Sequence, residues 1–385
     1  MKEFIFRMMT RVLYGEGTAE KVGEECKKFK AKRVFFITDS FMAKSSPIFT
    51  QLVTSIKEQG IAVEIFSDVE ADPSIETVDK VAAIMKKFKG DLVVALGGGS
   101  PMDTAKSVSL LQTNEGSIRE YLHKRRAIEH DAVPLICIPT TAGTGSEVTA
   151  GAVTTDRQSR EKIGVNHESI MPKLAIIDPN LMVSMPPSLT ASTGMDALCH
   201  AIEAYVSTQA EPMADAMCLH AIRLIGANLP QAVANGRDIK TRGNMALASL
   251  MAGVGFAHSG LGLVHAIAHC LGAMYHVPHG IANALMLPFV MDFNVMANRE
   301  RFRDIAIALG EDVSNLSLRD AAYRSVEAVQ QLKSDIGIPA TLREVGVKET
   351  DFAIIAENSI TYRLLPCNPR TVTKKDIECI LRQAF

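Results

Sequence analysis

Paired cysteines are missing from this sequence. Its seven cysteines are scattered, and no two of them are spaced as Cys-x-x-Cys. A disulfide framework or a cysteine-based zinc site would require paired cysteines, whereas an odd, dispersed set is typical of a reducing compartment. We therefore expect free thiols and a cytoplasmic protein.

Long apolar runs and blocks of one charge are missing as well. The segment Met1–Arg7 lacks the apolar core of a signal peptide, and no run of about 18 apolar residues could form a transmembrane helix. The formal net charge is only −2, and the densest basic segment, Lys27–Lys32, is best explained as the solvated end of a helix. We therefore expect no membrane and no nucleic-acid partner.

What is present is typical of a globular enzyme with two domains. The chain has 385 residues, of which 47% are hydrophobic and 22% charged, without an internal repeat or a low-complexity linker. In the first half, short apolar runs alternate with amphipathic segments, which predicts a parallel sheet covered by helices on both faces. The predicted strands are Arg33–Thr38, Ala62–Phe66, Asp91–Leu96 and Pro134–Ile138, and the predicted helices are Ile48–Gln59, Ser74–Lys89 and a segment ending near Leu111.

The second half is predicted to be all-helical. Apolar residues recur there at helical spacing, in Ala214–Leu229, Arg242–Gly255, Val264–Met274 and Leu318–Ile336. Two prolines at Met185-Pro186-Pro187 mark the boundary, because proline cannot continue a helix from the preceding segment. The expected organisation is an α/β nucleotide-binding domain at 1–185 and an all-α metal-binding domain at 186–385.

A glycine-rich turn follows the strand Asp91–Leu96. Gly97, Gly98 and Gly99 remove every Cβ where the backbone must bend, and Ser100-Pro101 begins a helix whose free N–H groups favour a pyrophosphate. A ligand-free tight turn is the alternative. The pattern is not the Rossmann fingerprint, which would need glycine in place of Met102.

Two further segments point to the same nucleotide. Asp39 follows an earlier strand, where its carboxylate could accept from a ribose 2′-hydroxyl and repel a 2′-phosphate; an N-cap role explains it equally well. The loop Pro139–Glu147 concentrates hydroxyls and glycines just after a strand, where open α/β sheets bind ligands.

Carboxylate and imidazole groups in the second half suggest a metal site. Asp196 and His200 are four residues apart, so a helix places them on one face. Four of the ten histidines fall between His265 and His279. Such ligands suit Fe(II), Zn, Mn, Co or Ni. Spacing alone does not choose between His265 with His269 and His265 with His279 as the remaining ligands.

In these motifs the chain resembles the iron-containing (group III) alcohol dehydrogenases over nearly its whole length. The matching segments are Gly97–Pro101, Thr140–Glu147, Asp178–Leu181, Thr193–Ala197, Gly262–Ala266 and His279–Asn283. The resemblance implies NAD(H)-dependent, metal-assisted hydride transfer between a small primary alcohol or diol and its aldehyde or ketone. It implies a small-molecule alcohol or aldehyde as substrate. The large apolar helical domain favours a homo-oligomer, although the sequence leaves the oligomeric state open.

The resemblance also assigns residues. A divalent metal, Fe(II) in preference to Zn, falls on Asp196, His200, His265 and His279. NAD contacts fall on Asp39, Gly97, Gly98, Gly99, Ser100, Thr140, Thr141, Thr144, Lys162 and Leu181. His269 lines the active site as a candidate proton relay, because histidines exchange protons near neutral pH, while Phe256 faces substrate and Cys367 lies near the pocket.

The chain departs from the family pattern at two places. Ala71-Asp72-Pro73 stands where many members have Pro-Asn-Pro, and His258 and Gly151 stand where some have Asn.

Two rival activities share the architecture of this family. A glycerol dehydrogenase-like polyol dehydrogenase is the main rival. A dehydroquinate-synthase-like lyase is disfavoured because the metal segment has almost no Lys or Arg for an acidic substrate.

A metallohydrolase and a catalytically silent assembly protein are rivals of other classes. The glycine loops disfavour the hydrolase, and NADH binding would discriminate it. The complete set of four candidate ligands disfavours the assembly protein, and metal analysis would discriminate it.

Overall fold

The computed structural model describes residues 3–122, 125–158 and 161–385, which form two compact units. The sheet unit comprises Arg7–Thr141 and Ser146–Met182. The helical unit comprises Val183–Phe385, Ala142–Gly145 and the described residues up to Phe6. The two short segments belong to the first domain in the organisation predicted from sequence, whereas their contacts group them with the helical unit.

The sheet unit is built on six parallel strands. They are β1 (Arg11–Tyr14), β2 (Arg33–Ile37), β3 (Ala62–Phe66), β4 (Leu92–Gly97), β5 (Leu135–Pro139) and β8 (Leu174–Ile177), in the spatial order β1-β8-β5-β4-β2-β3. Every neighbouring pair is parallel. The predicted parallel sheet is confirmed, with β1 and β8 added to the strands that the sequence indicated.

Alternate side chains of each central strand enter cores on opposite faces of the sheet. On β2, Phe35 and Ile37 pack into one core while Val34 and Phe36 pack into the other. Side chains of a strand alternate in direction, so a strand that is apolar at every position must be buried on both faces. The helices that cover the sheet are α1 (Val22–Lys28), α2 (Ser40–Ser45), α3 (Pro47–Glu58), α4 (Ile75–Phe88), α5 (Gly99–Thr113) and α6 (Ile118–Tyr121).

An antiparallel hairpin joins this unit between β5 and β8. Its strands are β6 (Gly151–Asp156) and β7 (Glu161–Asn166), which pair with Thr155 opposite Lys162. The N–H of Thr155 donates to the carbonyl of Pro73 at 2.8 Å. The hairpin, which sequence analysis did not predict, is therefore held against the segment between β3 and α4.

The helical unit contains no strand among residues 183–385, all of which are described. The predicted all-helical region is thus confirmed. Its helices are α7 (Pro187–Val206), α8 (Pro212–Ala234), α9 (Ile239–Ser259), α10 (Leu263–Tyr275), α11 (His279–Asn294), α12 (Arg299–Ala308), α13 (Leu318–Asp335), α14 (Phe352–Ser359) and α15 (Lys374–Gln383). Pro187 begins α7 at a position where proline costs no hydrogen bond.

One segment of this unit, His279–Ala297, is long and apolar enough to cross a membrane by length and composition. Within the chain 61% of it is buried, as in the core helix of a globular protein. Helices α9 and α10 pass the same test only as a pair bent by 106°. All seven cysteines carry free thiols, as expected from their spacing.

Candidate active site

Helix α7 presents three polar side chains along one buried face. Asp196, His200 and Glu203 occupy positions i, i+4 and i+7, which repeat on the same side of a helix. These residues are 3%, 5% and 5% exposed, and the helix has no other acidic, basic or histidine residue. Because burial of unpaired polar groups is costly, this row must be satisfied by partners from other elements.

The sharp turn between α9 and α10 supplies the first partner. Gly260 has a φ of +75°, and a Cβ there would come within 2.8 Å of Cys367 Sγ, so glycine is required. The first turn of α10 then brings Val264 N–H to 2.7 Å from Glu203 Oε1 and His265 Nδ1 to 2.5 Å from Glu203 Oε2. Glu203 thereby satisfies an unpaired N–H at the start of α10 and orients the His265 ring.

The turn between α10 and α11 supplies the second partner. His276 ends α10 with a left-handed φ of 56°, and Pro278 precedes α11, which begins at His279. The chain therefore turns at Pro278, as a ligand at His279 requires. His276 itself is exposed at the end of α10.

Three donor atoms from these helices converge. Three potential ligand atoms lie within 4.8 Å of one another, one each from Asp196, His265 and His279. Asp196 Oδ1 is 3.9 Å from His265 Nε2, 3.6 Å from His279 Nε2 and 3.9 Å from Nε2 of the fourth predicted ligand, His200. The His200 ring stacks on that of His265 with centroids 4.7 Å apart.

The contacts of Asn283 indicate whether this arrangement suits a cation. Its side-chain nitrogen lies 2.6 Å from Asp196 Oδ1 and 3.1 Å from Nε2 of both His265 and His279. An amide nitrogen can only donate, with two hydrogens. When both rings are neutral and carry their proton on Nδ1, the two Nε2 atoms and the carboxylate oxygen therefore present lone pairs toward one point. Convergent lone pairs from carboxylate and imidazole are what a divalent transition metal requires, and the residues present fit such a metal.

Burial controls the charge of the site. It lowers the pKa of both His265 and His279 well below the ordinary histidine value, so both rings are neutral at neutral pH and retain a lone pair for a metal. Burial also raises the pKa of Glu203 to about 7, opposed by the N–H groups of Gly262 and Val264 that donate to it. The Nδ1–H of neutral His265 donates to this carboxyl group and leaves Nε2 facing Asp196.

His269 lies one helical turn beyond His265 on the edge of this cluster. Its ring centroid is 6.3 Å from that of His265 and 5.4 Å from that of His279. Tyr362 approaches His269 edge-on at 5.2 Å, and Phe256 stacks on His200 at 4.5 Å. The predicted active-site residues His269 and Phe256 therefore adjoin the predicted ligands, with Tyr362 added by the structure.

In the sheet unit, the glycine turn lies beside Asp39. Gly97 has a φ of +148°, and a Cβ there would lie 2.6 Å from Pro101 Cγ and 3.4 Å from Asp39 Oδ2. The other oxygen of Asp39 accepts from Met42 N–H at 2.9 Å and caps α2. Asp39 thus caps a helix and also borders the glycine turn, so the two roles considered from sequence are compatible.

Several of the other predicted nucleotide residues adjoin the same turn, and two do not. Thr140 N–H donates to the Gly97 carbonyl at 3.0 Å, and a Cβ on Gly98 would lie 3.3 Å from Thr141 Oγ1. Helix α5 begins at Gly99, and Ser100 is in its first turn. Leu181 is buried in the core beside β8, whereas Thr144 belongs to the helical unit.

A buried ion network fixes the loop that follows β5. Lys106 is 0% exposed, and its ammonium donates to Ser146 Oγ, Thr149 Oγ1 and the Gly151 carbonyl at 2.8, 3.1 and 2.7 Å. Asp103 accepts from Ser146 Oγ at 2.7 Å. The sequence does not single out this lysine, because its spacing from Asp103 is that of any ordinary helical ion pair.

Comparison with known proteins identifies the family. The profile described as "Iron-containing alcohol dehydrogenase" matches residues 9–179, and "Fe-containing alcohol dehydrogenase family, C-terminal" matches residues 190–385. The NAD-dependent methanol dehydrogenase of Bacillus methanolicus is 43% identical over 371 residues, covering 96% of this chain and 97% of that protein. The 1,3-propanediol dehydrogenase of Klebsiella pneumoniae is 41% identical over 373 residues, covering 97% and 96%.

Solved structures agree with the sequence comparison. A 1,3-propanediol oxidoreductase crystal structure superposes with a TM-score of 0.96 at 40% identity and full coverage of both chains. An alcohol dehydrogenase from Oenococcus oeni also gives 0.96, at 37% identity and full coverage. These matches favour the alcohol dehydrogenase interpretation over the glycerol dehydrogenase-like and lyase alternatives. The chain therefore belongs to the iron-containing alcohol dehydrogenase family and is an NAD-linked, metal-dependent alcohol dehydrogenase.

Proposed function

We propose that this enzyme interconverts a small primary alcohol or diol and its carbonyl compound, using NAD(H) and Fe(II). The observation that carries the proposal is the convergence of lone pairs from Asp196, His265 and His279, within 4.8 Å of one another. Relatives named for methanol and 1,3-propanediol, each more than 40% identical to this chain, support the choice of small substrates.

The proposed ligands are Asp196, His200, His265 and His279. Their nitrogen and oxygen donors suit Fe(II) and Zn alike, and Fe(II) is preferred because the matching family is the iron-containing alcohol dehydrogenases. A cation held there supplies Lewis-acid polarisation of a substrate oxygen. Glu203 keeps Nε2 of His265 directed at the site through its contact with Nδ1.

The residues around the ligands have separate roles in this proposal. Phe256, stacked on His200, and Tyr362, packed against His269, exclude water with apolar surface. His269 relays a proton between the substrate hydroxyl and solvent, because it is half-buried beside the ligands.

NAD(H) is proposed to bind with its pyrophosphate at the glycine turn that begins α5, where helix N–H groups favour an anion. Asp39, which borders Gly97, is proposed to accept from the ribose 2′-hydroxyl. The remaining proposed contacts are Gly97, Gly98, Gly99, Ser100, Thr140, Thr141, Thr144, Lys162 and Leu181.

The proposed setting is the cytoplasm, which the seven free cysteines support. A homo-oligomer is proposed because the described N-terminal segment exposes apolar side chains that a subunit contact would bury. These are Phe4, Ile5, Met8 and Met9.

The test is anaerobic reconstitution of the purified protein with Fe(II), or separately with Zn(II), followed by NADH oxidation with formaldehyde, propanal and 3-hydroxypropanal. We expect metal-dependent turnover, fastest with Fe(II). If the fully metal-loaded protein oxidised NADH with none of the three aldehydes, the proposed substrate class would be contradicted. Higher turnover with Zn(II) would contradict the proposed metal.

A further inference from the structure

Asp72 has an unusual backbone conformation beside the proposed nucleotide site. It lies in Ala71-Asp72-Pro73 with a φ of 53°, in the left-handed region that Asp and Asn tolerate better than other residues with a Cβ. The next residue, Pro73, accepts from Thr155 of the hairpin at 2.8 Å. The position of Asp72 is therefore set by contacts on its C-terminal side.

Two proposed cofactor residues contact Asp72. Its backbone N–H donates to Ser100 Oγ at 3.2 Å, and its carboxylate Oδ1 accepts from Lys162 Nζ at 2.7 Å. The Lys162 side chain is 16% exposed and that of Asp72 is 63% exposed. The lysine is thus largely enclosed and directed at a carboxylate that faces solvent.

This ion pair bears on cofactor choice. Lys162 is the one cation among the proposed nucleotide residues, and Asp39 is the one anion. Recognition of a 2′-phosphate requires a cation available to it, whereas a 2′-hydroxyl does not. With Lys162 paired to Asp72, its charge is already balanced by a neighbouring group.

We propose that Asp72 is a second determinant of the preference for NAD(H), acting by holding Lys162 in an ion pair that a 2′-phosphate would have to displace. The inference rests on the proposed nucleotide site and deepens it. In this arrangement Asp39 repels the extra phosphate directly, and Asp72 withholds the cation that would attract it.

The test compares NADH and NADPH dissociation constants, measured by nucleotide fluorescence without metal or substrate. Asp72→Asn retains the backbone N–H and tolerance of the left-handed conformation but removes the charge. We expect NADPH to bind about five- to tenfold more tightly relative to NADH, as one exposed unit charge allows. Adding Lys162→Met to this variant should abolish that gain.

Asp68→Asn is the matched control, because Asp68 is an exposed carboxylate in the same segment; it should leave the ratio unchanged. An unchanged ratio in Asp72→Asn, or equal tightening of both nucleotides, would overturn the inference while leaving NADH binding and the proposed function intact. Failure of the unmutated protein to bind NADH would overturn both.

Discussion

His265 and His269 lie one helical turn apart on α10, but their neighbours differ. His265 is buried, with Nδ1 on Glu203 and Nε2 toward Asp196, so only one nitrogen is available to a metal. His269 is half-buried, and its ring packs against Tyr362. Helical spacing does not distinguish the two histidines. Their surroundings support the proposal that His265 is a metal ligand and that His269 transfers protons.

The first prediction separates these roles by substitution. His265→Ala and His279→Ala should lose both metal and activity, because each removes a lone pair from the convergent set. His269→Ala should retain near-stoichiometric metal but lose roughly 100-fold or more in kcat, as for removal of an acid–base group. Elemental analysis beside kcat and its pH profile provides the measurement.

His276→Ala is the control for these variants, since His276 is exposed at the end of α10. This substitution should change both the metal content and kcat only slightly. An empty site in His269→Ala together with a metallated His279→Ala would favour the i, i+4 ligand set instead.

The second prediction concerns Glu203. Glu203→Ala should weaken metal affinity by about 100-fold and Glu203→Gln by about tenfold, because glutamine retains an acceptor but not the charge. Competition with a metal-chelating dye measures the affinity. Glu211→Gln is the matched control, since Glu211 is also buried and also accepts backbone N–H groups, from Met213 and Ala214. Equal losses in both glutamine variants would indicate general destabilisation and contradict an orienting role.

The candidate site could be predicted from sequence only where spacing carries the information. Asp196 and His200 share a helical face, and the histidine cluster stands out by density. Glu203 is on the same face, three residues after His200, and that spacing was an available signal. Its role nevertheless depends on contact with α10, which begins sixty residues later in the chain, and periodicity does not encode which helix packs there. Asn283 and Tyr362 were missed for the same reason.

At the scale of elements, the glycine turn connects β4 to α5 and also contacts the segment that follows β5. Gly97 takes a φ of +148°, which favours glycine, whereas a Cβ on Gly98 would crowd the side chain of Thr141, two residues after β5 ends. The turn therefore depends on glycine at position 97 and on a small residue at position 98.

The third prediction tests that dependence. Gly98→Val adds a branched side chain whose Cβ would lie 3.3 Å from Thr141 Oγ1. NADH affinity should fall at least tenfold, while metal content stays unchanged because the proposed metal ligands lie on α7, α10 and α11. Calorimetric titration with NADH checks this. Gly164→Val on β7, where a Cβ meets only an ordinary contact at 3.5 Å, is the control. Unchanged NADH affinity in Gly98→Val would indicate that the loop is only a structural turn and does not bind the nucleotide.

The sequence predicts the longer strands better than the shortest ones. Strands β2, β4 and β5 are apolar runs followed by loop or turn residues, so their burial on both faces is visible in the pattern. Strand β3, at one edge of the sheet, is mostly exposed and contains Glu64, and its other residues are all apolar. Strands β1 and β8 have only four residues each, too few to distinguish from loop. The hairpin β6–β7 contains several polar residues, and its pairing and its hydrogen bond to Pro73 are tertiary features that no local pattern reveals.

At the scale of the whole molecule, the proposed metal ligands and most of the proposed nucleotide residues belong to different compact units. Asp196, His200, His265 and His279 all lie in the helical unit, whereas the glycine turn lies in the sheet unit. The segment Ala142–Gly145 interrupts this division, since it follows β5 in the chain but groups with the helical unit. We therefore expect the metal ion to stabilise the helical unit most directly and NADH to stabilise the sheet unit.

The last prediction follows from that division. In hydrogen–deuterium exchange, anaerobic Fe(II) should slow amide exchange in α7, α10 and the first turn of α11, because it couples side chains from all three helices and raises the cost of local opening. NADH should instead slow exchange in residues 97–104 and at Thr140–Thr141. In His279→Ala, metal-dependent protection should vanish while protection by NADH persists. Protection of α10 by Fe(II) without α11 would contradict the assignment of His279, and loss of NADH protection in that variant would show that the two sites do not act independently.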